Sequence, residues 1–140
     1  MDTEGVLENV VRVLGAFLLA LPIGWERERG VASVGLRTFP VVAMAACGFA
    51  LVGRAIPGMD AEGLARVLQG IAGGVGFIGG GAILKEGMNV RGLVTAASIW
   101  NTGAIGIAVG YGVEAVAVIL ALANVLALVL LGRFGDPGGS

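Results

Sequence analysis

Five long apolar segments, separated by short loops that hold much of the charge, restrict this chain to very few folds. A window of about 19 residues places them at Val6–Trp25, Thr38–Ile56, Leu64–Leu84, Leu93–Gly110 and Val113–Gly132. Each is long enough to cross a hydrocarbon core of about 30 Å at about 1.5 Å per residue. In lipid the backbone must satisfy its own hydrogen bonds, so each reads as a helix. Composition agrees: 56% of the 140 residues are hydrophobic and only 14% charged, where a soluble domain carries about a quarter charged residues. Disorder needs the opposite balance. The 26 glycines follow no G-X-Y period, which excludes collagen. The expected fold class is an all-α polytopic bundle of about five transmembrane helices, one membrane domain over residues 1–132, with 133–140 as a disordered tail.

Several functions are poorly supplied. There is no histidine, the single cysteine Cys47 lies in an apolar span, and the aspartates are Asp2, Asp60 and Asp136. No nucleophile–base pair stands at a recognisable spacing, so the chain is expected not to be an enzyme and to carry no resident cofactor. A net charge of −1 gives no electrostatic case for nucleic acid. The N-terminus, Met1-Asp2-Thr3-Glu4, is acidic where a secretory signal would be basic, so the first span is expected to be retained. Arg27, Arg29, Arg37, Lys85, Arg91 and Arg133 fall on one side of the spans, Arg12, Arg54 and Arg66 on the other. The positive-inside rule then puts the C-terminus in the cytoplasm and the N-terminus outside.

Glycine crowds the third span at Gly70, Gly73, Gly74, Gly76, Gly79, Gly80 and Gly81. Gly73, Gly76 and Gly80 form one helical stripe, Gly103 and Gly106 with Gly110 another, and Ala43, Ala46, Ala50 and Gly53 a third. Small residues let helices approach closely in lipid, so Gly70, Gly73, Gly76, Gly80, Gly103 and Gly106 are expected to pack helix on helix. A bend or unwound segment along a solute path is the alternative. Gly74-Val75-Gly76-Phe77-Ile78-Gly79 matches GxGxxG literally but lies inside an apolar span, not between a strand and a helix. It is not a dinucleotide site.

At an offset of 57 residues the chain resembles itself. Gly24, Gly30, Gly35, Leu36 and Thr38 recur as Gly81, Gly87, Gly92, Leu93 and Thr95, and Val52-Gly53 as Val109-Gly110. This predicts a parallel repeat of two helices. The two loops form a charged cytoplasmic rim, in which Arg27, Glu28, Arg29 and Lys85 read as solvated. Glu26, Arg37 and Arg91 lie closer to apolar spans, where charge needs a partner or a water-filled cavity. Glu26 is expected to pair with Arg37 or Arg91, and Thr38 and Thr95 to cap helix starts. Asn101, Asn124, Ser98 and Thr102 lie deeper, as hydrogen bonds between helices or as a polar lining. Trp25 reads as an interfacial anchor and Trp100 as a packed side chain. The candidate functional residues are Glu26, Arg37, Asn89, Arg91 and Asn101, with Glu26 the best candidate for holding a metal.

Two ordered motifs carry a family resemblance. Gly24-Trp25-Glu26-Arg27-Glu28 followed by Gly35-Leu36-Arg37-Thr38 resembles the first signature of the MgtC/SapB membrane proteins. Gly74-Val75-Gly76-Phe77-Ile78-Gly79-Gly80-Gly81-Ala82-Ile83, then Val90-Arg91-Gly92-Leu93-Val94-Thr95-Ala96-Ala97-Ser98-Ile99-Trp100, resembles the second. Val94 stands where the family often has Thr, and longer members add a soluble cytoplasmic domain, so the chain resembles a short member. The resemblance implies a bacterial inner-membrane protein linked to magnesium limitation and, in pathogens, to survival in macrophages and interference with ATP synthase. Two mechanisms follow: helix contacts with a membrane partner or in a homodimer or other homo-oligomer, or a channel or transporter for Mg²⁺ or another small solute. Mg²⁺ usually needs one or two carboxylates with retained waters, and Glu26 is the only acid placed deeply enough, apart from Glu114 at the opposite side.

Overall fold

The computed structural model describes residues 3–29 and 35–134. Five helices occupy the five apolar segments: α1 (Thr3–Glu28), α2 (Thr38–Ala55), α3 (Ala61–Gly81), α4 (Leu93–Tyr111) and α5 (Glu114–Gly132). A hairpin of β1 (Leu84–Glu86) and β2 (Asn89–Arg91) joins α3 to α4. The helix ends lie within about three residues of the expected bounds. α1 runs longest because Thr3 to Gly5 before the apolar run and Glu26 to Glu28 after it are compatible with helix. α1, α2, α4 and α5 are long and apolar enough to cross a membrane. α3 is as long, but its glycines, Glu62 and Arg66 dilute its apolar character. Of the expected tail, residues 135–140 lie outside the described residues, as does Gly30 of the repeat.

Side-chain and backbone approaches fix how the helices run. α2 and α4 are parallel: Gly106 of α4 abuts Ala43 and Ala46, and Gly110, one turn on, abuts Cys47 and Ala50. α1 and α4 are antiparallel, since Arg12 bonds Val109 O at 2.7 Å and Arg27 bonds Thr95 Oγ1 at 2.9 Å. α4 and α5 are antiparallel, Ser98 meeting Asn124 and Asn101 meeting Leu120. α3 is antiparallel to α4, with Gly79 against Ala96 and Gly103 against Val75.

α4 is the central helix and touches the other four. Its sequence suits that place: Thr95, Ser98, Ile99, Thr102, Gly103, Ile105, Gly106, Ala108, Val109 and Gly110 are all buried, and a helix apolar all round belongs in an interior. The glycine stripe sets the distance. A Cβ at Gly103 would stand 2.8 Å from Val75 Cγ2, and one at Gly110 2.9 Å from Cys47 O. Gly112 ends the helix in a left-handed conformation (φ 77°). Its N–H bonds Val109 O at 3.1 Å and the next N–H, of Val113, bonds Ala108 O at 2.9 Å, the Schellman closure for which glycine is favoured. Asp60 caps α3, accepting the Gly63 N–H at 2.8 Å, as short polar side chains do at helix starts.

The third-span stripe takes no part in the packing among the described residues: a Cβ at Gly70, Gly73 or Gly80 would meet none of their atoms within 4 Å, and one at Gly76 would reach only Trp100 at 3.9 Å. α3 turns Ile71, Val75 and Gly79 inward, because the branched side chains bury more area against α4 than the glycines could. Trp100, expected to pack, is exposed.

Candidate functional site

The first motif is a crossing of chain segments. Gly24, on the last turns of α1, lies against the segment leading into α2: a Cβ there would stand 3.1 Å from Leu36 Cα. A Cβ at Gly35 would stand 2.9 Å from Glu28 Cα and run into the Glu28 carboxylate. Glycine at both positions lets the two segments touch. The Glu28 Oε2 then accepts the Leu36 N–H at 2.8 Å, satisfying a backbone donor just ahead of α2. Glu28, expected to be merely solvated, holds this turn together.

Its neighbour Arg27 also departs from expectation. It is half-buried, and its Nη2 donates to Thr95 Oγ1 at 2.9 Å, tying the end of α1 to the first turn of α4. Thr95 therefore serves as an acceptor between helices rather than as a cap. Neither Arg37 at the start of α2 nor Gly92 at the start of α4 makes a side-chain cap. Thr38 bonds Gly35 O through its own backbone N–H at 3.1 Å. The Arg27 Nε is buried with no hydrogen-bond partner among the described residues. Sequence reasoning ranked Glu26 above Arg27. The signal it lacked was helical phase, which turns Arg27 towards α4.

The five candidate polar residues do not converge. Glu26 is half-buried near the end of α1 and forms no ion pair with Arg37 or Arg91 among the described residues, where the pairs within 4.0 Å are Arg12–Glu8, Arg12–Glu114 and Arg66–Glu62. Arg37 is exposed ahead of α2. Asn89 and Arg91 fall in β2, opposite Glu86 and Leu84, with Arg91 exposed. Asn101 is in α4 and donates through Nδ2 to Leu120 O at 3.3 Å. Ser98 Oγ donates to Asn124 Oδ1 at 3.1 Å, and Thr102 Oγ1 to Ser98 O at 2.7 Å. Most polar atoms of this interior thus join α4 to α5 or bond along α4 itself, while Asn124 Nδ2 is buried with no partner among the described residues. Among the described residues no group of three or more His, Cys, Asp or Glu is gathered as metal ligands would be.

At the opposite end two arginines close α4. The last carbonyls of a helix have no partner within it. Arg12 Nη1 donates to Val109 O and, at 2.9 Å, to Glu114 Oε1, while its Nε donates to Glu8 at 2.9 Å. Arg54 Nη1 donates to Gly110 O at 2.9 Å. Cations at a helix C-terminus also suit its dipole. These residues had been counted only as outer-side charges, since a partner some 97 positions away in sequence leaves no local trace.

Between α2 and α3 lies an open apolar groove of about 490 Å³. Phe49, Val52, Val67, Ile71 and Ile78 line it together with Gly70 and Gly74. Glu26, Arg91 and Asn101 do not border it. It exists because α2 and α3 meet mainly at one end, where a Cβ at Gly53 would stand 3.2 Å from Val67. The exposed glycine face of α3 continues from this groove.

Comparison with known proteins completes the description of these motifs. The sequence profile of the MgtC family matches residues 13–136. Protein MgtC of Brucella abortus (strain 2308) is 44% identical over 98 residues, covering 70% of this chain and 40% of that protein. Protein MgtC of Salmonella typhimurium (strain LT2) is 40% identical over 121 residues, covering 84% of this chain and 51% of that protein. The match thus spans 40% and 51% of the length of these two relatives. No solved structure matches it.

Proposed function

This chain belongs to the MgtC family, and from that premise we propose that it is a multi-pass protein of the bacterial cytoplasmic membrane that serves adaptation to magnesium limitation by helix contact with other membrane chains, not by catalysis. The magnesium role rests on family membership. The mode of action rests on one observation: α3 presents its glycine face and the adjoining groove outward, with none of the described residues packed on Gly70, Gly73, Gly74 or Gly80. Helices associate in lipid by close backbone approach, and this is the glycine-rich face the bundle leaves open. A second copy of the chain is the partner considered first, because a two-fold axis would set two such faces against each other. The basic rim faces the cytoplasm in this reading, with the N-terminus outside.

The test joins two measurements. Gly74→Cys in a Cys47→Ser background is oxidised in native membranes, and purified wild-type protein is assayed for Mg²⁺ flux in vesicles. Disulfide-linked dimers from Gly74→Cys, absent from Leu122→Cys on the outer face of α5, would support contact through α3. Mg²⁺ uptake above that of empty vesicles, lowered by Glu26→Gln, would replace this reading with transport.

A further inference from the structure

The hairpin between α3 and α4 sets exposed apolar side chains, Leu84, Met88 and Val90, among Lys85, Glu86, Asn89 and Arg91. Its strands pair antiparallel, Leu84 with Arg91, Lys85 with Val90 and Glu86 with Asn89. The two residues left to turn the chain are Gly87 and Met88. Gly87 takes φ 62° while Met88 keeps a negative φ, the pattern of a two-residue turn with glycine first. At the base, Gly92 lies against Ala82, where a Cβ would clash with its carbonyl oxygen, so the hairpin springs from a tight junction at the end of α3. Three residues per strand carry its tip about 10 Å from that junction.

Met88 at the tip is 99% exposed, and Leu84, Val90 and Leu93 are exposed with it. Lys85 and Arg91 flank them, both exposed, and outnumber Glu86, the one acid of the hairpin. The Arg27–Thr95 bond sets this hairpin at the same end of the bundle as the C-terminus of α1. There Trp25 is also exposed, with the Arg29 guanidinium 5.4 Å from its ring centre. Tryptophan at a span end marks the headgroup level. An apolar tip in a hairpin of two cations and one acid, at the headgroup end of the bundle, suits an anionic bilayer surface in polarity and in net charge.

We propose that the β1–β2 hairpin is a lipid-binding element that docks on the anionic surface of its own membrane, with Met88 in the headgroup–acyl boundary and Lys85 and Arg91 on lipid phosphates. The attraction of each cation to an anionic surface makes the docked-to-free ratio about 30-fold larger than without the pair, which corresponds to ~1 kcal/mol for each of the two. Apolar side chains add area removed from water, and salt weakens the cationic part. Neither contribution depends on a partner protein.

The experiment places an environment-sensitive fluorophore at Met88→Cys, in a Cys47→Ser background, with the full chain in vesicles. Vesicles of phosphatidylcholine alone are compared with vesicles rich in phosphatidylglycerol. Docking is expected to shift emission to the blue and to expose the probe to a quencher carried on lipid in the anionic vesicles. Lys85→Gln with Arg91→Gln should abolish the dependence on phosphatidylglycerol. Both positions are exposed, and an unchanged circular-dichroism melting profile checks the fold. Water-like emission and full access to an aqueous quencher in both lipids would overturn the proposal. Quenching by lipid that ignores phosphatidylglycerol would overturn the assignment of Lys85 and Arg91.

Discussion

Replacing Gly106 with alanine adds one methyl group to the seam between α2 and α4. Its Cβ would stand 2.8 Å from Ala46 Cβ and 3.0 Å from Cys47 N, and closer still to Ala43 O. Carbon atoms rest at about 3.5–4.0 Å, so the two helices must part by about 1 Å. A gap of that size forfeits a quarter to a half of each contact along the seam, including Gly110 against Cys47 one turn away. Overpacking of this kind costs about 1–3 kcal/mol, and a backbone carbonyl as the nearest neighbour places Gly106 at the upper end. Alanine returns about 1 kcal/mol through its better helix propensity. The net loss is about 2 kcal/mol, near a 30-fold fall in the folded-to-unfolded ratio. Gly48→Ala on α2 is the control, because a Cβ there meets nothing within 4 Å and only the propensity gain remains. Equilibrium unfolding in mixed micelles reads both. If Gly106→Ala matches the wild type, or Gly48→Ala loses as much, the packing account of the seam is wrong.

Other substitutions test separate joints. Arg12→Met leaves Val109 O with the Gly112 N–H alone and takes the charged donor from Glu114, which should cost about 1 kcal/mol, read as a lower unfolding midpoint in detergent, whereas Arg66→Met, whose partner Glu62 is likewise exposed, should change it little. A double-mutant cycle on Ser98→Ala and Asn124→Ala should return a coupling of about 0.6 kcal/mol, the usual size for a hydrogen bond between membrane helices; a zero coupling would remove that bond from the account. Gly35→Ala should disrupt the turn between α1 and α2, since the new methyl collides with Glu28, and protease cleavage after Arg29 would report it as faster digestion. Glu28→Gln keeps an acceptor for the Leu36 N–H and should digest as the wild type does.

What the chain reveals by inspection is set by how local the signal is. The five helices were legible because a span is a contiguous run, and Glu4 and Glu28 shift only its ends. Gly103 and Gly106 were legible as packing residues because their stripe repeats at helical spacing. Gly70, Gly73 and Gly80 repeat in the same way yet face outward, since periodicity gives the stripe but not the direction in which the helix turns it. The hairpin was missed although Gly87-Met88 fits a two-residue turn, because Leu84 had been absorbed into the preceding span and left too short a strand to notice. Arg27–Thr95, Arg12–Val109 and Arg54–Gly110 join residues far apart in sequence. The repeat is partly legible in space. Gly35 and Gly92 each sit tightly against the end of the preceding helix, at Glu28 and Ala82, whereas Gly24 is packed and its counterpart Gly81 is not.

The central claim, that the chain works through the open face of α3, is tested most directly by growth at limiting magnesium of a strain lacking its own copy and carrying Gly70→Leu with Gly74→Leu. A Cβ at either position meets nothing within 4 Å and the rest of each side chain enters the open groove, so the variant is expected to fold, and its amount in the membrane is measured beside growth. The account expects the wild-type chain to restore growth and the double variant to fail while remaining present. Growth restored equally by both would contradict it.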